Sequence, residues 1–178
     1  MKIVSWNCAG GLRKKTEILD SLQADVLVVQ ECEDPARSTS SYEQWADKYI
    51  WSGSNKNKGI GVFARNGVEL STLSWSRKFK LPGAPTLSAS AAWTTDDLKE
   101  FLSFRINNQF NALAVWTKQS EGGTFGYAGQ LWKYLQTHRK DIAGGECLLL
   151  GDLNSNVRWD RPDRWWNHSD NVEILKNL

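Results

Sequence analysis

In the run Leu148-Leu149-Leu150-Gly151-Asp152-Leu153-Asn154, a carboxylate and an amide follow directly on a short apolar segment. A carboxylate can orient an attacking water and an amide can hold a phosphate oxygen, so the pair suits hydrolysis of a phosphoester. In extended backbone, positions two apart point the same way, so Asp152 and Asn154 are expected to face one space. Asn7, after Lys2-Ile3-Val4-Ser5-Trp6, and Glu31, after Ala24 to Gln30, also close apolar segments. Mg²⁺ is a hard cation that takes oxygen ligands and keeps several waters, so Glu31 as main ligand with Asn7 beside it is a sufficient set. Such an ion neutralises phosphate charge and stabilises a leaving oxygen. Taken singly, each of these residues reads better as a solvated polar group or turn residue ending a strand; it is their combination that points to chemistry.

The segments behind these residues must put them at one address. Lys2 to Trp6 is a predicted strand, Lys14 to Leu22 an amphipathic helix with Ile18, Leu19 and Leu22 on its apolar side, and Ala24 to Glu31 a second strand that stops at Asp34-Pro35. Strand, helix and strand in that order favour a parallel crossover, with Asn7 and Glu31 at the same sheet edge and Glu31 just past its strand. Three consecutive leucines cannot alternate in and out, so Leu148 to Leu150 is expected to be covered on both faces. Between these lie a helix over Tyr42 to Tyr49, a flexible basic loop over Ser52 to Gly59 carrying Lys56 and Lys58, and a strand over Ile60 to Ala64 with Gly61 inside it. Loops are expected at Leu81 to Pro85 and Glu121 to Thr124, and a tight turn at Thr94 to Asp97. A strand over Asn111 to Thr117 carries Trp116 at its far end. Ala128, Leu131, Trp132 and Leu135 mark a helix face whose His138, Arg139 and Lys140 suit the negative end of the dipole, with Gly144-Gly145 ending it. A last helix begins near Ser169 or Asp170.

A chain of 178 residues supports one domain that buries about 70% of its unfolded surface. Lys plus Arg number 22 against 20 Asp plus Glu, so a net charge of +2 does not mark a nucleic-acid protein, and any basic footprint has to come from clustering. Arg158, Arg161 and Arg164 supply such a cluster, interleaved with Trp159, Trp165 and Trp166, which account for three of ten tryptophans. That loop can hold phosphates and unpaired bases, or it can be a tryptophan-arginine packing cluster. The three cysteines lack zinc or redox spacing and are expected as reduced thiols, with Cys8 and Cys32 buried. No apolar run approaches the roughly eighteen residues that span a bilayer, and a soluble, cytoplasmic protein without membrane partners is expected.

Trp6-Asn7, Gln30-Glu31 and Gly151-Asp152-Leu153-Asn154, together with Gly59-Ile60-Gly61-Val62-Phe63-Ala64-Arg65, resemble the ordered motifs of the endonuclease/exonuclease/phosphatase superfamily, the DNase I-like fold. The resemblance covers the whole chain. It implies an α/β protein built as a four-layer α/β/β/α sandwich, residues 1–178 forming a single domain, and metal-dependent phosphodiester hydrolysis. Magnesium, or manganese in its place, is the implied cofactor and nucleic acid the implied substrate. Asp152 and Asn154 would be catalytic, Asn7 and Glu31 the metal ligands, and Trp116, Asn167, His168, Lys58 and Arg158 would contact substrate.

The chain departs from the family pattern in two places. Trp116 stands where a Tyr or His usually contacts the phosphate, and an indole donates one N–H without shuttling a proton. The closing Ser-Asp-His segment, whose Asp pairs with a catalytic His, does not follow, which implies a C-terminally truncated domain or a sheet completed by a second chain. A positioned proton-transfer group contributes about 10²- to 10⁴-fold in rate, so such a chain would be a poor catalyst. The competing readings are a non-catalytic nucleic-acid-binding remnant of the fold and a phosphatase of phosphoinositides or small phosphoesters.

Overall fold

The computed structural model describes residues 1–83, 91–120 and 124–178. These fall into two compact units, the first made of Met1–Leu73, Glu100–Trp116 and Glu146–Asp152, the second of Ser74–Lys99, Thr117–Gly145 and Leu153–Leu178.

The first unit holds two four-stranded sheets. One contains β1 (Ile3–Asn7), β2 (Val26–Cys32), β3 (Tyr49–Asn55) and β4 (Lys58–Ala64) in the order β1-β2-β4-β3; the other contains β5 (Leu70–Thr72), β8 (Phe101–Ile106), β9 (Phe110–Trp116) and β10 (Cys147–Asp152) in the order β10-β9-β8-β5. The predicted crossover is present: β1 and β2 run parallel, with Asn7 opposite Gln30. Alternation along the strands divides the apolar residues between two cores. Val26, Val28, Ile60 and Val62 meet Phe104, Ile106, Ala112 and Ala114 between the sheets. Leu27, Val29 and Phe63 point the other way, onto Leu12, onto Leu19 of α1 (Thr16–Ser21), and onto Tyr42 and Ala46 of α2 (Ser40–Ala46). The four branched residues Val26 to Val29 are at most 2% exposed, and each stabilises by about 1.5–3 kcal/mol over an exposed position. This strand anchors the unit.

Several sequence expectations are corrected in this unit. Ile18 is 54% exposed while Leu19 is buried, because adjacent residues on a helix point about 100° apart and the apolar face is completed by Leu12. The helix expected to reach Tyr49 stops at Ala46, and Tyr49 opens β3. The basic loop is a hairpin: β3 and β4 pair antiparallel around Lys56-Asn57, and Asn55 Oδ1 accepts the Asn57 N–H at 3.0 Å. The space beside Gly61 is filled by the Phe63 ring and the Cys32 sulfur, where an added Cβ would come within 2.6 and 2.8 Å. β10 joins the second sheet, parallel to β9, as an edge strand. Having one strand neighbour, it leaves its leucines only part-covered, and Leu148 is 38% exposed.

In the second unit β6 (Lys78–Lys80) pairs antiparallel with β7 (Ala92–Thr94), and α3 (Ala128–Ala143) and α4 (His168–Lys176) supply the helices. Trp93 donates its indole N–H to Thr137 of α3 at 2.8 Å and packs against the Phe79 ring, tilted by 33° at a centroid distance of 4.9 Å. The expected turn at Thr94 to Asp97 is a short 3₁₀ segment with Asp97 Oδ2 accepting the Thr94 N–H. His138 departs from its expected place at the helix end. It sits fully buried at a kink in α3 (φ −112°), with Nδ1 2.9 Å from Asp141 and Nε2 2.8 Å from Thr95 Oγ1. α4 starts earlier than expected, capped by Asn167, because Ser169 is occupied with Asp160 and Asp170 Oδ2 accepts the Asn167 N–H. Residues 84 and 85 of the first expected loop and 121–123 of the second lie outside the described residues. Among the described residues no helix is long and apolar enough to cross a membrane.

Candidate functional site

In the first unit three of the expected residues meet around one amide nitrogen. Asn7 ends β1, and its Nδ2 donates to Glu31 Oε1 at 3.1 Å and to Asp152 Oδ2 at 2.7 Å. Its Oδ1 accepts the Ala9 N–H at 3.0 Å, which holds the side chain at the entry to the turn through Ala9, Gly10 and Gly11. That turn is fixed by Lys15, which donates to the Gly10 carbonyl, and by buried Glu33, which accepts the Leu12 N–H at 2.8 Å and pairs with Arg13.

Glu31 does not lie beyond its strand. β2 continues to Cys32, and Glu31 occupies a bulge where the register against β4 passes from Gln30–Ile60 to Cys32–Gly59. Its φ of 63° is left-handed, a conformation that costs a non-glycine residue about 1–3 kcal/mol and is kept where the surroundings over-determine it. A bulge re-aims a side chain, and here the carboxylate is aimed at Asn7. Its second oxygen accepts from Lys58 Nζ at 2.6 Å, the lysine being half exposed. An exposed pair of this kind is worth only about 0–1 kcal/mol, so a stronger cation displaces it readily.

Asp152 ends β10 opposite Trp116. The glycine before it is obligatory: Gly151 has φ 138°, and a Cβ there would lie 1.9 Å from the Val115 carbonyl oxygen. The Trp116 ring, 6% exposed, belongs to the core between the sheets.

The remaining expected residues belong to the second unit. Asn154 has φ 42°, so the alternation of an extended strand stops at Asp152 and does not set its direction; its Nδ2 donates to the Thr117 carbonyl at 3.1 Å. Asn167 ties the Arg161–Arg164 turn to α4, accepting the Arg161 N–H and donating to the Arg161 and Arg164 carbonyls. His168 Nδ1 lies 3.0 Å from Ser155 Oγ. Arg158 stacks its guanidinium 4.7 Å above the Trp159 ring. Asn154, Asn167 and His168 all line one cavity of about 780 Å³ within this unit. Gln119 and Tyr127 line it too and were not singled out in the sequence, where a loop glutamine and tyrosine carry no periodic signal.

Burial pushes the Cys8 and Cys32 thiols up from their ordinary range, consistent with packed thiols rather than ligands or nucleophiles. Among the described residues no group of three or more His, Cys, Asp and Glu is gathered for a metal. Two carboxylates sharing one amide donor still form an oxygen-rich, acidic set, and a hydrated hard ion needs only one or two carboxylates. The carboxylates of Glu31 and Asp152 therefore fit a hydrated Mg²⁺, Asn7 could join them only through Oδ1, which here accepts the Ala9 N–H, and the set has no thiolate or imidazole to favour a softer metal.

A search of curated proteins by sequence finds no match. Among solved structures the chain is similar to an AP endonuclease from Archaeoglobus fulgidus, with 18% identity and a TM-score of 0.57 over 99% of this chain and 68% of that one. It is similar to a 3′ phosphatase, NExo, from Neisseria bound to a product DNA hairpin, with 16% identity and a TM-score of 0.56 over 100% and 70%. It is also similar to truncated TDP2 from Caenorhabditis elegans, with 15% identity and a TM-score of 0.55 over 91% and 66%. These likenesses show a DNase I-like α/β fold. The model of the endonuclease/exonuclease/phosphatase family matches residues 4–172, running through both units, and the chain belongs to that family.

Proposed function

We propose that the chain is a divalent-metal-dependent phosphodiester hydrolase, a nuclease, whose reaction centres on Asn7, Glu31 and Asp152. The observation that carries this reading is the single Asn7 Nδ2 that bonds both Glu31 and Asp152, residues 24 and 145 positions away. Glu31 and Asn7 would hold Mg²⁺, or Mn²⁺ in its place, and that ion would neutralise phosphate charge and favour departure of the leaving oxygen. Asp152 orients the attacking water, and the Asn7 amide keeps the two carboxylates in register without adding charge. Lys58 guards Glu31 and then turns to the substrate phosphate. Asn154, on its place in the motif, donates its amide to a phosphate oxygen, and Arg158, Asn167 and His168 are proposed to contact substrate, whereas Trp116, packed in the core, would act only by supporting the strand beside Asp152. Nucleic acid as the substrate class is supported by the DNA hairpin bound to the similar Neisseria enzyme. Three unpaired thiols support action in the cytoplasm.

The test is hydrolysis of a labelled oligonucleotide with Mg²⁺ present. Glu31→Gln, Asp152→Asn and EDTA are each expected to lower the rate by at least about 10²-fold. Hydrolysis that survives all three would overturn the reading, and binding without hydrolysis in the unsubstituted protein would replace it with a binding module.

A further inference from the structure

The cavity of about 780 Å³ in the second unit lies within the range of small-molecule sites, about 300–1,000 Å³. Its lining includes the aromatic residues Phe125, Trp159 and Trp166 and the arginines Arg161 and Arg164. Four observations mark it as a place for a ligand.

The first is Arg164 Nε, which is buried with no hydrogen-bond partner among the described residues, while Nη2 of the same group donates to the Trp159 carbonyl at 2.9 Å. That nitrogen is closed off from the cavity, so a ligand would meet this arginine through its other nitrogens, and the unmatched donor shows that the protein satisfies the guanidinium only in part. The second is Arg161, whose side chain makes no hydrogen bond or ion pair among the described residues although its backbone is tied to Asn167. The third concerns the rings. Phe125, Trp132, Trp165 and Trp166 pack on one another at centroid distances of 4.2 to 6.1 Å and form a structural cluster. Trp159 stacks on no other ring among the described residues and is 53% exposed. Its one ring contact is Arg158, which does not line the cavity, whereas Trp159 does. The fourth is backbone: Phe125, Tyr127 and Asn154, all lining residues, have left-handed φ values of 58°, 49° and 42°, the kind of strain that gathers at binding sites.

The charges on the lining select the ligand. Asp160 is committed: one oxygen accepts the His168 N–H at 2.8 Å, and the other accepts the Ser169 N–H and hydroxyl. Asp163 is the remaining carboxylate of the lining and is exposed, leaving two arginines to one uncommitted acid. A ligand with a flat polarisable face and one anionic group matches an unpaired indole beside two guanidinium groups. A base inside a duplex offers no such face. The geometry points to this cavity as the seat of one unpaired nucleotide of single-stranded nucleic acid, its base on Trp159 and its phosphate on Arg161 and Arg164. The choice of nucleic acid rests on the function proposed above, but occupancy of the cavity does not require turnover.

The experiment measures binding of fluorescein-labelled single-stranded DNA and RNA tetranucleotides, and of a blunt DNA duplex long enough to stay paired, by anisotropy in EDTA, where hydrolysis is suppressed. Both single strands are expected to bind at least about tenfold tighter than the duplex, and the DNA and RNA arms show whether the sugar matters. Trp159→Ala is expected to weaken single-strand binding about 5- to 150-fold, and Trp159→Phe to restore most of it. Arg161→Gln, at an exposed side chain that leaves the fold intact, is expected to reduce the salt slope by about 0.7. Equal affinity for duplex and single strand, or full affinity in both Trp159→Ala and Arg161→Gln, would overturn the proposal. Competition by inorganic phosphate as strong as by a mononucleotide would also overturn it, since no base would then be seated. Hydrolysis in Mg²⁺ without this binding leaves the hydrolase reading standing and removes the cavity; binding without hydrolysis does the reverse.

Discussion

Gly151 and Glu31 show how single backbone positions set the chemistry of the side chains beside them. Gly151 allows β10 to approach Val115 with Asp152 next in line, and an added methyl has no room, since the obstacle is a carbonyl of the neighbouring strand. Gly151→Ala is therefore expected to destabilise by about 2–4 kcal/mol in urea unfolding and to abolish hydrolysis, because strain at a left-handed φ adds to the clash. A loss under 0.5 kcal/mol would mean that β10 shifts freely. The sequence places Glu31 just past its strand, but β2 runs on to Cys32 and Glu31 lies inside it, on a bulge. That bulge was not visible in the sequence, because Glu31 and Glu33 stand two apart and regular alternation would point both the same way. In the structure they part, Glu31 toward Asn7 and Glu33 toward Leu12 and Arg13.

Periodicity predicted the elements well and their faces less well. α1 is the clearest case, with two adjacent apolar residues and only one buried. Leu19→Ala is expected to cost about 2–5 kcal/mol and Ile18→Lys less than about 0.5 kcal/mol, measured as shifts in the unfolding midpoint. Comparable costs would show that α1 packs on both. In α3 the kink at His138 has a pH signature. Burial pushes the imidazole below its ordinary range, the Asp141 carboxylate opposes that shift, and Arg77 adds to it. Thr95, Trp75 and Tyr134 complete its surroundings with uncharged groups. A group whose folded pKa is lowered binds more protons unfolded, so its stability is full above the unfolded value of about 6.5 and is lost as pH falls below it. The urea midpoint should therefore hold steady between pH 8 and about 7 and fall by pH 5.5, before the Asp25 and Asp97 carboxyls, held low by hydrogen bonds, begin to titrate. A flat profile down to pH 5.5 would show that His138 is not the buried neutral group described.

At the scale of the whole molecule the thiols report on both integrity and accessibility. Cys8 and Cys32 are at most 1% exposed and Cys147 is half-buried, with burial raising all three above the ordinary thiol range. In native protein a thiol reagent such as DTNB is expected to label Cys147 slowly and the other two only at the rate of unfolding; immediate labelling of three would contradict the packing described. The sequence by itself determined the family, the strand ends bearing Asn7 and Asp152, and the parallel pairing of the first two strands. Each of these is written in a few adjacent residues, where an apolar run and the polar residue closing it are covalently joined. Tertiary structure alone decided that one amide nitrogen spans both carboxylates, that the leucine strand lies at a sheet edge, that Glu31 rides on a bulge and that Trp159 stands apart from its neighbouring tryptophans. Those depend on which distant surfaces close on one another, and spacing along a chain does not encode contacts made 145 residues apart.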